Sequence, residues 1–430
     1  MAFIKFDFEN EKLKIINFVK ESLKNNPIVE DLGDYIPFLA YYGEEEFCKK
    51  QIEISKTRMK YGMFCGDIYP KLRKFRRYMI VPEFNTDALL GLIEFYRLTE
   101  NEIALETAET IIKSLNKHFV KNGYIYSLFL TGLKINVPFV RGMNGLYVEL
   151  LTDLYDITKD EKYIEIAENL AKAWINLDFF KKNKLFPNSY FVKAKYLNKL
   201  WRDAKKVTIF KHNTSIVNGL LSLYKKIKEE KLLKAIDQWI FTIKKRFFVN
   251  TIYGKLNIKN KTISEPLLKY SFSMIDILSY AYHLTKNSNY LDFAEDIASF
   301  WIKKKSKIYL FPQSPDKRET LLDSITDFSI SLFRLNELTG KKFYREIGIK
   351  TVKANMKYHS YQPTKHSEFI GGEPCFLPAF VDSVDYKTGK PSTKRIKPKF
   401  IALMLKPIIY LESDEKIYNN ENIFKLMRDR

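Results

Sequence analysis

The apolar residues of this chain fall into blocks of two kinds, and the two alternate along most of its length. In TKDEKYIEIAENL (158–170) and just beyond, Tyr163, Ala167, Leu170 and Trp174 recur at i, i+4, i+7 and i+11, while Glu161, Lys162, Glu165 and Glu168 lie off that line. Such a period predicts an amphipathic helix with one wet face. Ahead of these helices stand blocks with few charges: TDALLGLIEFYRL, MNGLYVELLTDLYDI, SIVNGLLSLYKKI, FSMIDILSYAYHL, ITDFSISLFRLNEL and FIALMLKPIIYL. A helix that is apolar almost all round is a buried one. Each unit therefore reads as a buried inner helix, a short polar turn and a half-exposed outer helix.

The unit repeats. TKNSNYLDFAEDI (285–297) restates 158–170, with Tyr290 and Ala294 where the earlier copy has Tyr163 and Ala167. The same frame runs from Thr99, Thr339 and Ser413, more loosely through 224–240, and in a shorter form through 43–54. Asn101, Asp160 and Asn287 follow their threonines closely and are placed to cap the next helix. Trp174, Trp239 and Trp301 fall on the buried stripe of outer helices and read as core. Clear hairpins turn at Thr99, Thr158, Lys228, Thr285 and Thr339, and partial ones near Gly43 and Ser413, so the repeat has six or seven units. Extra length sits between units, in 187–206 and 357–396, and long inserts on one face point to function.

Buried inner helices with turns on one side and inserts on the other resemble an (α/α) toroid. The phrases VRGMNGLYVELLTDLYDITKDEKYIEIAENLAKAWI (140–175) and YSFSMIDILSYAYHLTKNSNYLDFAEDIASFWI (270–302) make the chain similar to the six-hairpin glycosidase superfamily. That resemblance implies an all-α (α/α)6 toroid, or one of seven hairpins, with small irregular or β-hairpin inserts. It would be one domain over 1–430, with a helical extension over 1–32 and a lid insert over 357–396. Seven units would look more like a lanthionine-cyclase or class I mannosidase ring. The Cys/His zinc constellation of the former is missing, as is the aspartate-rich motif of terpenoid-cyclase toroids. No metal and no cofactor are expected.

In such a ring the inner-helix ends remote from the turns surround a central cavity, and the stretches that start those helices are polar: VPEFNTD (81–87), PFVRGMN (138–144), FKHNTS (210–215), LLKYSFS (267–273), LLDSITD (321–327) and STKRIKPK (392–399). Counting back equally from Thr99, Thr285 and Thr339 lands on Asp87, Ser273 and Asp327. Two carboxyls at one depth facing one cavity suit acid–base work on a glycosidic bond, one protonating the leaving oxygen and the other activating water or attacking. Asp323 lies one turn before Asp327, a like-charge pair that raises one pKa, and Glu83 stands likewise to Asp87. His212 is the histidine best placed as a proton carrier. Arg141, Lys211, Lys269, Arg395, Lys397 and Lys399 form a cationic rim suited to a carboxylate, sulfate or phosphate on a sugar. Asn144, Asn213, Tyr270, Ser273 and Glu83 are further candidate substrate contacts. The alternative role for each acid is helix capping. His283 reads as core, His359 and His366 flank the aromatic lid insert, and Trp201 is either a sugar platform or loop packing.

Charge sharpens the substrate class. With 72 Lys+Arg against 51 Asp+Glu, the formal charge of +21 favours an acidic partner, although lysine runs such as 181–184 and 303–305 belong to solvated helix ends. No nucleic-acid-reading motif is present. FIALMLKPIIYL is too short for a membrane span and carries Lys406 and Pro407. MAFIKFDFENEKLKII lacks a signal-peptide pattern, and Cys48, Cys65 and Cys375 have no metal spacing, so a reduced, cytoplasmic chain is expected. The expectation is a carbohydrate-active enzyme for an acidic, uronate-like oligo- or polysaccharide, a glycoside hydrolase working through paired carboxylates. A uronate lyase or sugar epimerase using His212 or a tyrosine is one alternative, and a non-catalytic toroid binding an anionic polymer or partner protein is another.

Overall fold

The computed structural model describes residues 8–24, 27–65, 79–130, 135–259, 263–361, 379–392 and 398–428. Arg395, Lys397, His366 and most of the expected lid insert lie outside these residues.

Inner helices run over Leu32–Tyr41, Pro82–Thr99, Leu146–Thr158, Thr214–Ile227, Leu268–Thr285 and Leu322–Thr339, and a seventh comes in two pieces, Pro398–Leu403 and Leu405–Glu412. Each packs on the next and the seventh returns to the first, so the ring closes with seven inner positions among the described residues. Outer helices Glu45–Lys56, Glu102–His118, Lys162–Asn176, Glu230–Phe247, Ser288–Lys304 and Lys342–His359 each back the inner helix before them. The helix Phe8–Leu23, which falls in the expected extension, packs on both pieces of the seventh inner helix and holds the place of its outer partner. Pro407 accounts for the break in that seventh helix: it lacks an N–H and its ring crowds the carbonyl four residues back, at Leu403.

Glycine lets neighbouring inner helices touch backbone to backbone. A Cβ on Gly33 would stand 2.5 Å from the Asp87 carbonyl oxygen, and one on Gly145 would stand 2.4 Å from the Ile216 backbone. The turns repeat one device. Thr99, Thr158, Thr285 and Thr339 end their helices by donating Oγ1 to the carbonyl four residues back, at 2.7, 2.9, 2.7 and 2.6 Å. The next residue is left-handed in each case: Glu100, Lys159, Lys286 and Gly340, with φ of 55°, 59°, 59° and 72°. Asn101 and Asn287 then cap the following helix, accepting from the amides of Ala104 and Asn289. The repeated tyrosine reaches the preceding outer helix: Tyr163 donates to Glu109 at 3.2 Å, Tyr344 to Glu295 at 2.9 Å, and Tyr290 to Asp237.

On the opposite side, short antiparallel strand pairs lead into the inner helices: Phe139–Arg141 with Ser189–Phe191, Lys206–Thr208 with Lys255–Asn257, and Glu319–Leu321 with Ser383–Asp385. The ring interior is not wholly apolar. Glu94, Glu149, Asp153, Asp276 and Arg334 are all 2% exposed or less. The helix Glu421–Met427 and Arg428 enter the ring and meet these charges. Lys425 pairs with Asp153, Arg428 lies 3.7 Å from Glu149 and 3.4 Å from Asp276, and Arg334 reaches Asp276 at 2.9 Å.

Candidate active site

Asp87, Ser273 and Asp327 are each the sixth residue of their inner helices, so the equal depth read from the repeat holds. Neither acid is a cap. The N-caps are Val81, Leu267 and Leu321, none with a side-chain cap bond, and the capping alternative therefore fails for Asp87 and Asp327. Asp323 sits in the first turn and accepts from the Ser324 amide at 2.7 Å.

The two acids sit in unlike surroundings. Asp87 keeps part of its surface open to solvent and makes no hydrogen bond or ion pair among the described residues. Protein crowds it nevertheless, and this burial pushes its pKa up to about 7. Lys211 and Lys399 pull the other way, while Asp34 and Asp31 add to the rise. Asp327, by contrast, is ion-paired with Lys406 at 2.7 Å, and Lys406 also donates to the Arg428 carbonyl at 2.8 Å. Burial raises the Asp323 pKa, with the charge of Asp327 adding to the rise, as the like-charge spacing implied. A cavity of about 50 Å³ is lined by Asp34, Asp327, Lys406 and Arg428 among others. That is room for a few waters at most.

Glu83 is 4% exposed, and burial raises its pKa against the pull of Arg141, whose Nη1 lies 3.3 Å away. Its second oxygen is buried without a hydrogen-bond partner among the described residues. The Arg141 side chain is 42% exposed. Lys211 and Lys269 make no ion pair among the described residues. Both ammonium groups lie over Phe210, at 5.8 and 5.4 Å from the ring centre. Burial lowers the Lys269 pKa and the charges of Lys255 and Lys211 lower it further, with Asp323 opposing. Lys211 is held at φ 63°, its amide donating to Thr214 Oγ1 at 3.0 Å. Each ammonium feels a rim carboxyl without pairing to it among the described residues, Lys211 that of Asp87 and Lys269 that of Asp323, which leaves both open to an anionic guest.

Other expected contacts are spent on the scaffold. Asn213 is fully buried, its amide holding the Phe186 backbone and the Thr208 carbonyl while Trp239 donates to it. Asn144, also fully buried, donates to the Ile125 carbonyl and Ser127. Tyr270 is 1% exposed and packs on Gly254, where a Cβ would meet its ring at 2.1 Å. Ser273 donates to the Lys269 carbonyl at 2.9 Å. Lys399 is tied to Asp31 at 2.7 Å and Asp34 at 3.3 Å. Burial by itself would lower its pKa, but Asp34, Asp31 and Asp87 raise it.

Burial lowers the His212 pKa to about 4, and Arg141 adds to the effect. The imidazole is therefore neutral near pH 7 and too weak a base to carry a proton well there. His359 is fully buried, bonded to the Asn355 carbonyl and likewise lowered by burial to about 4. His283 stacks on Tyr418 at 4.6 Å. Asp31 and Asp34 were not among the expected acids. Their inner helix is short and interrupted by Pro37, which hides the unit, although the same count back from Gly43 that finds Asp87 from Thr99 lands on Asp31.

Taken with these helices and this rim, the chain has the fold of the six-hairpin glycosidase-like (α/α) toroids. No protein-family model matches it, and no curated protein is similar in sequence. Solved structures are similar. An alpha-1,2-mannosidase from Trichoderma reesei is 11% identical with a TM-score of 0.65, over 92% of this chain and 92% of that one. A D-mannose isomerase is 13% identical with a TM-score of 0.59, over 96% and 100%. An unsaturated glucuronyl hydrolase from Bacillus sp. GL1 is 11% identical with a TM-score of 0.52, over 76% and 86%. At such identities the likeness is one of fold. No helix among the described residues is long and apolar enough to cross a membrane.

Proposed function

We propose that the chain is a carbohydrate-active enzyme that hydrolyses an acidic, uronate-like saccharide, with Asp87 as general acid and the Asp323/Asp327 pair as the opposing carboxylates. The observation that carries this reading is the contrast between two carboxyls at one depth: Asp87, without an ion pair among the described residues and with a pKa of about 7, and Asp327, charge-matched by Lys406. Carboxyls whose environments differ in this way divide into proton donor and base or nucleophile. A group with a pKa near neutrality both holds a proton for the leaving oxygen and releases it readily. Arg141, Lys211 and Lys269 would receive the substrate carboxylate. Fold neighbours include a glucuronyl hydrolase and a mannosidase as well as epimerases. The weak basicity of His212 favours hydrolysis over epimerisation or elimination through that residue.

Turnover of uronate disaccharides tests the proposal. Asp87→Asn should lower it about a thousandfold, and much less on an aryl uronide whose leaving group needs no proton. Because the acid works protonated, the rate should fall as pH rises through about 7. Equal losses on both substrates would remove Asp87 from the acid role, and undiminished turnover in both Asp87→Asn and Asp327→Asn would remove the reading itself.

A further inference from the structure

We infer that the strand pair Phe139–Arg141 and Ser189–Phe191, with Trp201 laid across it, is a platform for a second sugar unit, so that the substrate is gripped as an oligosaccharide. The inference rests on the saccharide reading above and extends it to a surface outside the ring. In this pair Phe139 stands opposite Phe191 and Arg141 opposite Ser189. Residues two apart on a strand share a face, so all four project to the same side. Trp201 covers that side. Its ring lies 5.7 Å from Phe191 and 6.5 Å from Phe139, and its indole N–H donates to Ser189 Oγ at 2.7 Å.

The chain holds four tryptophans, and three of them, Trp174, Trp239 and Trp301, are 1% exposed or less. Trp201 is 43% exposed although pinned on two sides, with Leu200 beside it at 80%. A pinned indole whose only donor is already used offers an open aromatic face and nothing else. That face suits the C–H side of a pyranose ring. The shelf adjoins the rim. Arg141 projects from the same strand face and touches Glu83, and the next residue, Gly142, donates to the Asn188 carbonyl at 3.1 Å and lies so near His212 that a Cβ would stand 2.7 Å from its carbonyl oxygen. One acidic sugar held at Arg141 would thus place its neighbour over Trp201. This continuity with a cationic rim argues for a saccharide rather than a protein on the shelf.

The test uses the full chain carrying Asp87→Asn, titrated with galacturonic acid and with tri-galacturonate. The trimer should quench and blue-shift tryptophan emission, since Trp201 is the tryptophan that solvent reaches, and the monomer should not. By calorimetry Trp201→Ala should weaken the trimer about tenfold, the worth of one stacked ring, and Trp201→Phe should recover most of the loss. A trimer that binds without moving the emission, or binds Trp201→Ala as tightly as the parent, would overturn the platform even if hydrolysis proceeds through Asp87. A Trp201-dependent shift with neutral cello-oligosaccharides alone would keep the platform and remove the acidic substrate. Binding of none of these sugars would overturn both.

Discussion

Burial pushes Asp87 toward its neutral form, so at pH 8 the fold carries an ionised carboxylate where a neutral group would fit better. The sign follows from linkage. With a folded pKa of about 7, above the ordinary carboxylate value, the stabilisation is complete in acid and is lost as pH rises through about 7. Asp87→Asn should therefore raise stability at pH 8 by about 1–2 kcal/mol, allowing for the residue's partial exposure, and the gain should shrink by pH 5. Urea melts at the two pH values decide it. At this scale the sequence was informative where the repeat could be counted: Asp87 and Asp327 emerged at one depth because both helices end on the same threonine turn. It was uninformative where a side chain's partner comes from elsewhere. Nothing in FKHNTS says that Asn213 will brace Phe186 and Trp239, nor does STKRIKPK show Lys399 meeting Asp31, 368 residues away.

The inner helices depend on glycine at their crossings and on a left-handed residue at their ends, and these two demands are separable. Gly145→Ala would drive a Cβ to within 2.4 Å of the Ile216 backbone and should cost about 3 kcal/mol or more, since backbone cannot give way. Gly340→Ala meets nothing within 4 Å, but φ is 72° there, so about 1 kcal/mol is expected. Thermal melts of the pair should keep that order. The outer helices use their repeated tyrosine as a stitch to the preceding unit. Tyr163→Phe and Tyr344→Phe should each cost about 1 kcal/mol, measured in the same melts. Helix period and turn chemistry are local, which is why hairpins, turns and buried tryptophans were readable from sequence. The seventh inner helix was blurred by Pro407 and the first by its brevity, and ring size therefore stayed between six and seven.

Across the whole molecule the least expected feature is the charge inside the ring. Sequence patterning reads Glu149 and Asp153 as minor interruptions of an apolar block, because their counter-charges, Lys425 and Arg428, come from a distant helix. Lys425→Met would strip buried Asp153 of its paired ammonium, at a cost of about 3 kcal/mol. Asp153→Asn in the same chain should recover part of that loss. Denaturation followed by circular dichroism of the single and double variants would show this.

The Lys399 pairings with Asp31 and Asp34 carry a mechanical consequence. Elsewhere round the ring each inner helix packs on the inner helix of the next unit in the chain. Here the first and seventh units meet across a loop of 368 residues, whose closure costs about 5 kcal/mol of chain entropy. This clasp joins the two ends of the ring, and Asp34, one of its acids, also lines the cavity that Asp327 borders. High salt should weaken this ion-paired seam while almost every helix is still wound, so loss of the proposed saccharide turnover and loss of helical signal should follow separate curves.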